Sequence, residues 1–155
     1  MVIAADTVVV VGGRILGKPE SPADARCMLR LLSGRTHRVL TGIAVLRLPP
    51  DERRHSPRHG GALRSGVEVT SVTFALLREA EIREYVASGE PQDKAGAYAV
   101  QGRGGRFVTR IEGCYFNVVG LPLARLCGML RELGFREGRL EHKRRPGLPG
   151  RRKKN

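Results

Sequence analysis

The sequence has no tryptophan, and its aromatic residues make up only 5% of the chain. With a hydrophobic fraction of 41%, a core is affordable, and the expectation is that aliphatic side chains build it. No apolar run approaches the roughly 18 residues that a membrane-crossing helix requires, so no membrane partner is expected. The opening stretch, MVIAADTVVVVGG, has neither the basic start nor the small-residue cleavage site of a secretory leader. Cysteine is scarce: Cys27, Cys114 and Cys127 are odd in number, widely spaced and without a CxxC pair. That pattern argues against a disulfide framework and against a structural zinc site, and it sets a reducing, cytoplasmic setting as the expectation. The length, 155 residues, suits one domain of ordinary size.

Positive charge, by contrast, is abundant. The net charge is +13, but residues 136–155 (REGRLEHKRRPGLPGRRKKN) hold nine Lys/Arg against two Glu. About half of the excess thus lies in one terminal segment rich in glycine and proline and poor in large apolar residues. The chain is therefore divided into a folded domain at 1–135 and a basic, disordered tail at 136–155. Such a tail attracts polyanions without selecting among them, so a basic nucleic-acid-binding protein is an alternative reading, while specific nucleic-acid recognition is not expected.

Along the chain, Val2–Val11 reads as a buried strand, or one bending at Asp6, and Gly12-Gly13 as a hairpin turn. Ser21-Pro22 is a helix start, with serine as N-cap and proline at the first helical position. Ala25, Met28, Leu29 and Leu32 follow at helical spacing until Gly34 stops the helix. Residues 37–48 and 67–76 read as two long strands pairing as a hairpin around a polar tip. Residues 79–88 form a short helix with Ile82, Tyr85 and Val86 on one side; GGRFVTRIEG gives a strand, and residues 121–133 a last helix. Strands and helices are mixed rather than strictly alternating, and the fold class expected is α/β, with a mixed twisted sheet flanked by helices.

The candidate chemistry lies in a few places. Asp6, inside VIAADTVVVV, is expensive to bury unpaired; it is either a strand-end aspartate capping a turn or a carboxylate projected from a rigid strand into a pocket. Lys18, in LGKPE, is a solvated loop lysine or a point charge for a phosphate oxygen. The stretch EPQDKAGAYAVQG packs Glu90, Asp93, Lys94 and Gln101 beside Gly96 and Gly102, glycines that permit close approach to a ligand. QGRGG matches neither of the glycine-rich phosphate-loop or dinucleotide fingerprints. His55 and His59 have HxxxH spacing but no third ligand, and His37 sits at a strand start.

These motifs occur in a recognisable order. AADTVVVVGGRILGKP, SGRTHRVLTGIAV, EIREYVASGEPQDKAGAYAVQG and GCYFNVVGLPLARL resemble the Maf family of nucleoside triphosphate pyrophosphatases, from about Val2 to Gly134 and interrupted at 49–66. The resemblance implies a house-cleaning hydrolase that converts a nucleoside triphosphate to its monophosphate and pyrophosphate with Mg²⁺ or Mn²⁺. It also implies a sheet-and-cleft fold similar to inosine-triphosphatase-like proteins, and a possible homodimer. It makes Asp6 the proton acceptor, Lys18 and Lys94 phosphate-site residues, and Thr7 and Gln101 positions tied to substrate choice; the carboxylates Asp6 and Glu90 are the candidate metal ligands. A carboxylate of ordinary acidity is a poor base for free water at neutral pH, so Asp6 is a base in a special setting, an acceptor from metal-bound water, or mainly a ligand.

Gln101 can accept from N3–H of uracil or thymine and donate to a neighbouring carbonyl, whereas glutamate, acceptor-only, suits a guanine edge. AYAVQG therefore points to the dTTP/UTP subgroup rather than the one acting on 7-methylguanosine triphosphate. The family's Ser-x-Ser-Pro-Arg-Arg motif has no counterpart ahead of Asp6; Ser56-Pro57-Arg58 is the chain's one Ser-Pro-Arg. This sets the expectation of an N-terminally truncated member, with an inactive truncated homologue as an alternative.

Overall fold

The computed structural model describes residues 1–48 and 61–135. The tail at 136–155, the His55/His59 pair, Ser56-Pro57-Arg58 and the tip of the long hairpin lie outside the described residues.

Five strands form one sheet in the order β2-β1-β3-β4-β5. β1 (Val2–Val11) turns through Gly12 and Gly13, both at positive φ, into β2 (Arg14–Leu16), with Val11 opposite Arg14. Two successive residues with positive φ are what a tight two-residue hairpin needs, and glycine supplies them without strain. α1 (Pro22–Leu32) starts as its sequence predicts: Ser21 Oγ accepts from Asp24 N at 3.1 Å and Pro22 opens the first turn. Ala25, Met28, Leu29 and Leu32 are its buried residues, and Gly34 follows its end at φ 66°.

β3 (Thr36–Arg47) and β4 (Ala62–Phe74) then pair antiparallel over their whole length, from Thr36 opposite Thr73 to Arg47 opposite Ala62. α2 (Glu79–Ala87) buries Ile82, Tyr85 and Val86. Three short 3₁₀ turns, Glu90–Asp93, Ala95–Ala97 and Arg103–Phe107, lead into β5 (Val108–Glu112). α3 (Tyr115–Val119) and α4 (Leu123–Glu132) complete the described chain.

The α/β class holds, with a sheet flanked by helices. Its four strand pairings are all antiparallel among the described residues, so no parallel component enters these five strands. The inward positions of β3 (His37, Val39, Thr41, Ile43, Val45) are all buried and alternate with less buried ones, the period-2 pattern of a sheet covered on one face. The register places Val9, Val39 and Thr70 side by side on that face. α1 and α2 cover one end of it, and α4 covers the other through Ile43, Val45, Leu126, Met129 and Leu133. The opposite face carries Leu63, Val67 and Val69, all exposed.

Two expectations are corrected. β1 is one continuous strand, but it is not buried throughout: residues 2–6 are exposed and burial begins near Val9. β2 reaches only Val9–Val11, which leaves the outer edge of β1 without a strand partner from Val2 to Val8 among the described residues. The core is also not purely aliphatic. Phe74, Tyr85, Tyr98 and Phe107 meet His37 in a run of mostly edge-to-face contacts with centroids 4.8–6.0 Å apart. The few aromatics are concentrated in one place, where their quadrupoles favour such packing.

His37 is 1% exposed, and its Nε2 lies 2.9 Å from the Tyr98 hydroxyl while Nδ1 has no partner. Burial pushes its pKa from the ordinary 6.5 down to about 4. The unfolded chain therefore binds a proton that the folded one refuses. This contribution is complete above about pH 6.5 and is lost as pH falls through 4, on the order of 3 kcal/mol in all. Urea unfolding of wild type and His37→Gln at stepped pH should show a steeper loss of stability between pH 6.5 and 4 in the wild type. Parallel curves would remove His37 as the source.

Candidate active-site cavity

β1 carries Asp6 and Thr7 to a stretch of the sheet whose outer edge has no strand partner among the described residues. There Asp6 turns its carboxylate back on the strand, and Oδ1 accepts from Thr7 N at 2.9 Å. Asp6 is thus mid-strand and exposed, and does not cap a turn at a strand end. Thr7 Oγ1 lies 2.9 Å from Thr41 Oγ1 on β3.

The loop from 89 to 107 forms the facing wall, and its glycines explain its shape. Gly96 N donates to Gly17 O at 2.9 Å, tying the loop bearing Lys94 to the turn bearing Lys18. Gly96 sits at φ 68° with its Cα against Val9; a Cβ there would stand 2.9 Å from Val9 Cγ2. Ala97, fully buried, follows in the left-handed region at φ 60°, a conformation rarely adopted by residues other than glycine. A Cβ on Gly102 would collide with the Glu90 carboxylate, and one on Gly104 would lie 2.6 Å from the Tyr85 hydroxyl. The glycines expected to admit a ligand are therefore used to admit the protein's own side chains.

Glu90 is the centre of this packing. Its Oε1 accepts from the Tyr85 hydroxyl at 2.8 Å and from Gly104 N at 3.1 Å, and its Oε2 accepts from Arg103 N at 3.0 Å. The Tyr85 hydroxyl in turn accepts from Ala99 N at 3.1 Å. Desolvation pushes the Glu90 carboxyl up, but these donors outweigh it and hold the group below the usual carboxylate range. Both Glu90 oxygens accept within the loop and Glu90 does not line the cavity, so of the two candidate metal ligands the structure brings Asp6 alone to the cavity wall.

A cavity of about 380 Å³ lies between strand and loop, within the range usual for small-molecule sites. Asp6, Thr7, Lys18, Lys94 and Gln101 all line it, together with Asp93, Tyr98 and Gly120. Asp93 Oδ2 accepts from Lys94 Nζ at 2.8 Å. That hydrogen bond, with the charges of Lys94 and Lys18, holds the Asp93 carboxyl below its ordinary value. The sequence marks Asp93 as a charged member of this loop without a role of its own; its closeness to Lys18, 75 residues away, is decided by the fold. Sequence reasoning also missed the buried polar set beneath the cavity, Thr41, Thr70 and Asn117. The clue was a threonine at an inward position of β3. Among the described residues, no group of three or more His, Cys, Asp or Glu is placed to hold a metal ion.

Two ammonium groups, two carboxylates and a side-chain amide thus meet on one cavity of a sheet-and-helix domain. Residues 1–133 match the Maf-like protein family, and the chain belongs to it. It is 52% identical over 135 residues to the dTTP/UTP pyrophosphatase of Carboxydothermus hydrogenoformans, covering 87% of this chain and 67% of that protein. The dTTP/UTP pyrophosphatases of Anaeromyxobacter dehalogenans and a Geobacillus species are 53% and 54% identical, over 87% and 86% of this chain and 66% of each relative. The chain spans about two thirds of the length of these relatives.

Two substitutions test the loop wall. Glu90→Gln replaces an acceptor by an amide N–H₂ facing donors, and should cost roughly 1–3 kcal/mol, read as a fall in Tm of several degrees. An unchanged Tm would remove Glu90 as the group that holds the loop. Gly96→Ala should destabilise by a comparable amount, since the new methyl meets Val9 in a left-handed conformation.

Proposed function

We propose that the chain is a nucleoside triphosphate pyrophosphatase that hydrolyses dTTP and UTP to the monophosphate and pyrophosphate. The observation that carries this reading is the meeting of Asp6, Thr7, Lys18, Lys94 and Gln101, from well-separated segments of sequence, on one cavity. The names of the relatives support the substrate class.

In the reaction, the oxygen of water forms a bond to the α-phosphorus, the α–β anhydride bond breaks, and pyrophosphate leaves with the electron pair. Asp6 stands at the cavity on a rigid strand and takes the proton of the attacking water. Lys18 and Lys94 offset the charge of the phosphates. Asp93 keeps Lys94 in place until the phosphates compete for it, an exchange of one charge-assisted hydrogen bond for another. Gln101 presents an acceptor for pyrimidine N3–H and a donor for the adjoining carbonyl.

A divalent cation fits the donor set in a limited way. Asp6, with phosphate oxygens and water, suits Mg²⁺ or Mn²⁺ arriving with the nucleotide, and no all-protein cage is present among the described residues. When bound, the cation would neutralise phosphate charge and lower the pKa of water. The reading extends to a cytoplasmic homodimer, which sedimentation of the purified chain would test; a single monomeric species would overturn the dimer.

The test is pyrophosphate release from a nucleotide panel with Mg²⁺ or Mn²⁺. dTTP and UTP should be turned over best, and preference for 7-methylguanosine triphosphate would sink the reading. Asp6→Asn should lower kcat by roughly 10²–10⁴-fold, and near-normal turnover would remove Asp6 from the chemistry. Gln101→Glu should reduce kcat/KM for both pyrimidine nucleotides by about tenfold or more, since an acceptor-only group faces a substrate carbonyl.

A further inference from the structure

Beneath the cavity runs a chain of hydroxyls with a defined polarity. Thr41 is fully buried. Its Oγ1 has two neighbours: the Asn117 carbonyl at 3.1 Å and Thr7 Oγ1 at 2.9 Å. A carbonyl only accepts, and a threonine hydroxyl has one proton. Both contacts are hydrogen bonds only if Thr41 donates to Asn117 O and Thr7 donates to Thr41. Asn117 is held just as firmly, its Nδ2 donating to Val39 O at 3.0 Å and to Thr70 Oγ1 at 2.9 Å. Thr70 Oγ1 donates to Cys114 O and accepts from Cys114 N, each at 3.1 Å. The anchor is therefore fixed to β3, β4 and the start of α3.

We propose that Thr41 is a positioning residue for nucleotide selection: by taking the Thr7 proton, it leaves Thr7 facing the ligand as an acceptor only. This rests on the pyrophosphatase reading of the same cavity. An acceptor-only hydroxyl at a cavity wall selects a ligand that offers a donor there and leaves a competing acceptor unpaired. dTTP and UTP share two such donors: pyrimidine N3–H, which Thr7 would then accept in place of Gln101, and the sugar 3′-hydroxyl. Cytosine lacks the first, and a 3′-deoxy nucleotide lacks the second. Gly120 lines the same cavity beside Thr7, where a Cβ would stand in ordinary contact with Thr7 Oγ1 at 3.6 Å.

The experiment is calorimetric titration of the full chain with the α,β-imido analogues of UTP, CTP and 3′-deoxy-UTP, alongside UTP turnover. Thr41→Val and Thr41→Ala should each weaken binding of the UTP analogue by roughly tenfold, the scale of one hydrogen bond to a buried polar group. KM should rise with little change in kcat. Thr41→Ser, which keeps the hydroxyl, should bind like wild type. One of the other two analogues should be indifferent to Thr41→Val, and that one identifies the donor Thr7 meets. In a Thr7→Val background, Thr41→Val should add nothing.

The proposal is overturned if Thr41→Val binds as tightly as wild type, if all three analogues weaken equally, if serine fails to rescue, or if the loss persists without the Thr7 hydroxyl. Thr41-dependent binding without pyrophosphate release would defeat the pyrophosphatase reading and keep this one. Normal turnover with Thr41-independent binding would do the reverse. A wild-type chain that binds none of the analogues overturns both.

Discussion

One carboxylate organises the loop wall of the cavity. Glu90 gathers the hydroxyl of Tyr85 and the N–H groups of Arg103 and Gly104, and Tyr85 passes the connection on to Ala99 N. Four points of a loop without long regular structure are thereby fixed to α2. The adjacent glycines at 102 and 104 exist because a side chain there would occupy the space of the carboxylate or the phenol. Gln101 lies in the middle of this stretch, so its backbone position follows from an interaction in which it takes no part.

The opposite wall is set by different physics. Asp6 and Thr7 lie on a strand whose position is fixed by the ladder to β3, from Val2 opposite Leu46 to Val10 opposite Arg38. Ladder hydrogen bonds and the Thr7–Thr41 contact hold that wall, and the bond from Gly96 N to Gly17 O is one direct main-chain link between the loop wall and the β2–α1 turn. The two lysines ride on the two sides of this link. Their separation is thus set by backbone and not by long, freely rotating side chains alone.

Much of this was legible in the residues. The Ser21-Pro22 start, the spacing of Ala25, Met28, Leu29 and Leu32, the Gly12-Gly13 turn and the long hairpin are local signals, and local energetics decide them. The five cavity residues were legible only through the order of motifs, since nothing in LGKP or AYAVQG alone says that Lys18 and Gln101 meet. What escaped was decided by tertiary context. The exposure of Val2–Ala5 depends on which strands lie beside them, and apolar composition cannot show that. The role of Glu90 depends on three donors, two of them main-chain groups thirteen and fourteen residues away, which leave no side-chain signature. α3 is five residues long, too short for its period to register.

The cavity joins Asp6 to Gly120, whereas β3 and β4 are consecutive strands. Loop-closure entropy makes the near pairing cheap and the distant one dear. The long hairpin is therefore the natural nucleus, and the cavity is among the last features the chain can complete. Under the proposed function, ligand binding would accordingly report a finished fold: a refolding population would recover its strand signal before it recovers any affinity for nucleotide.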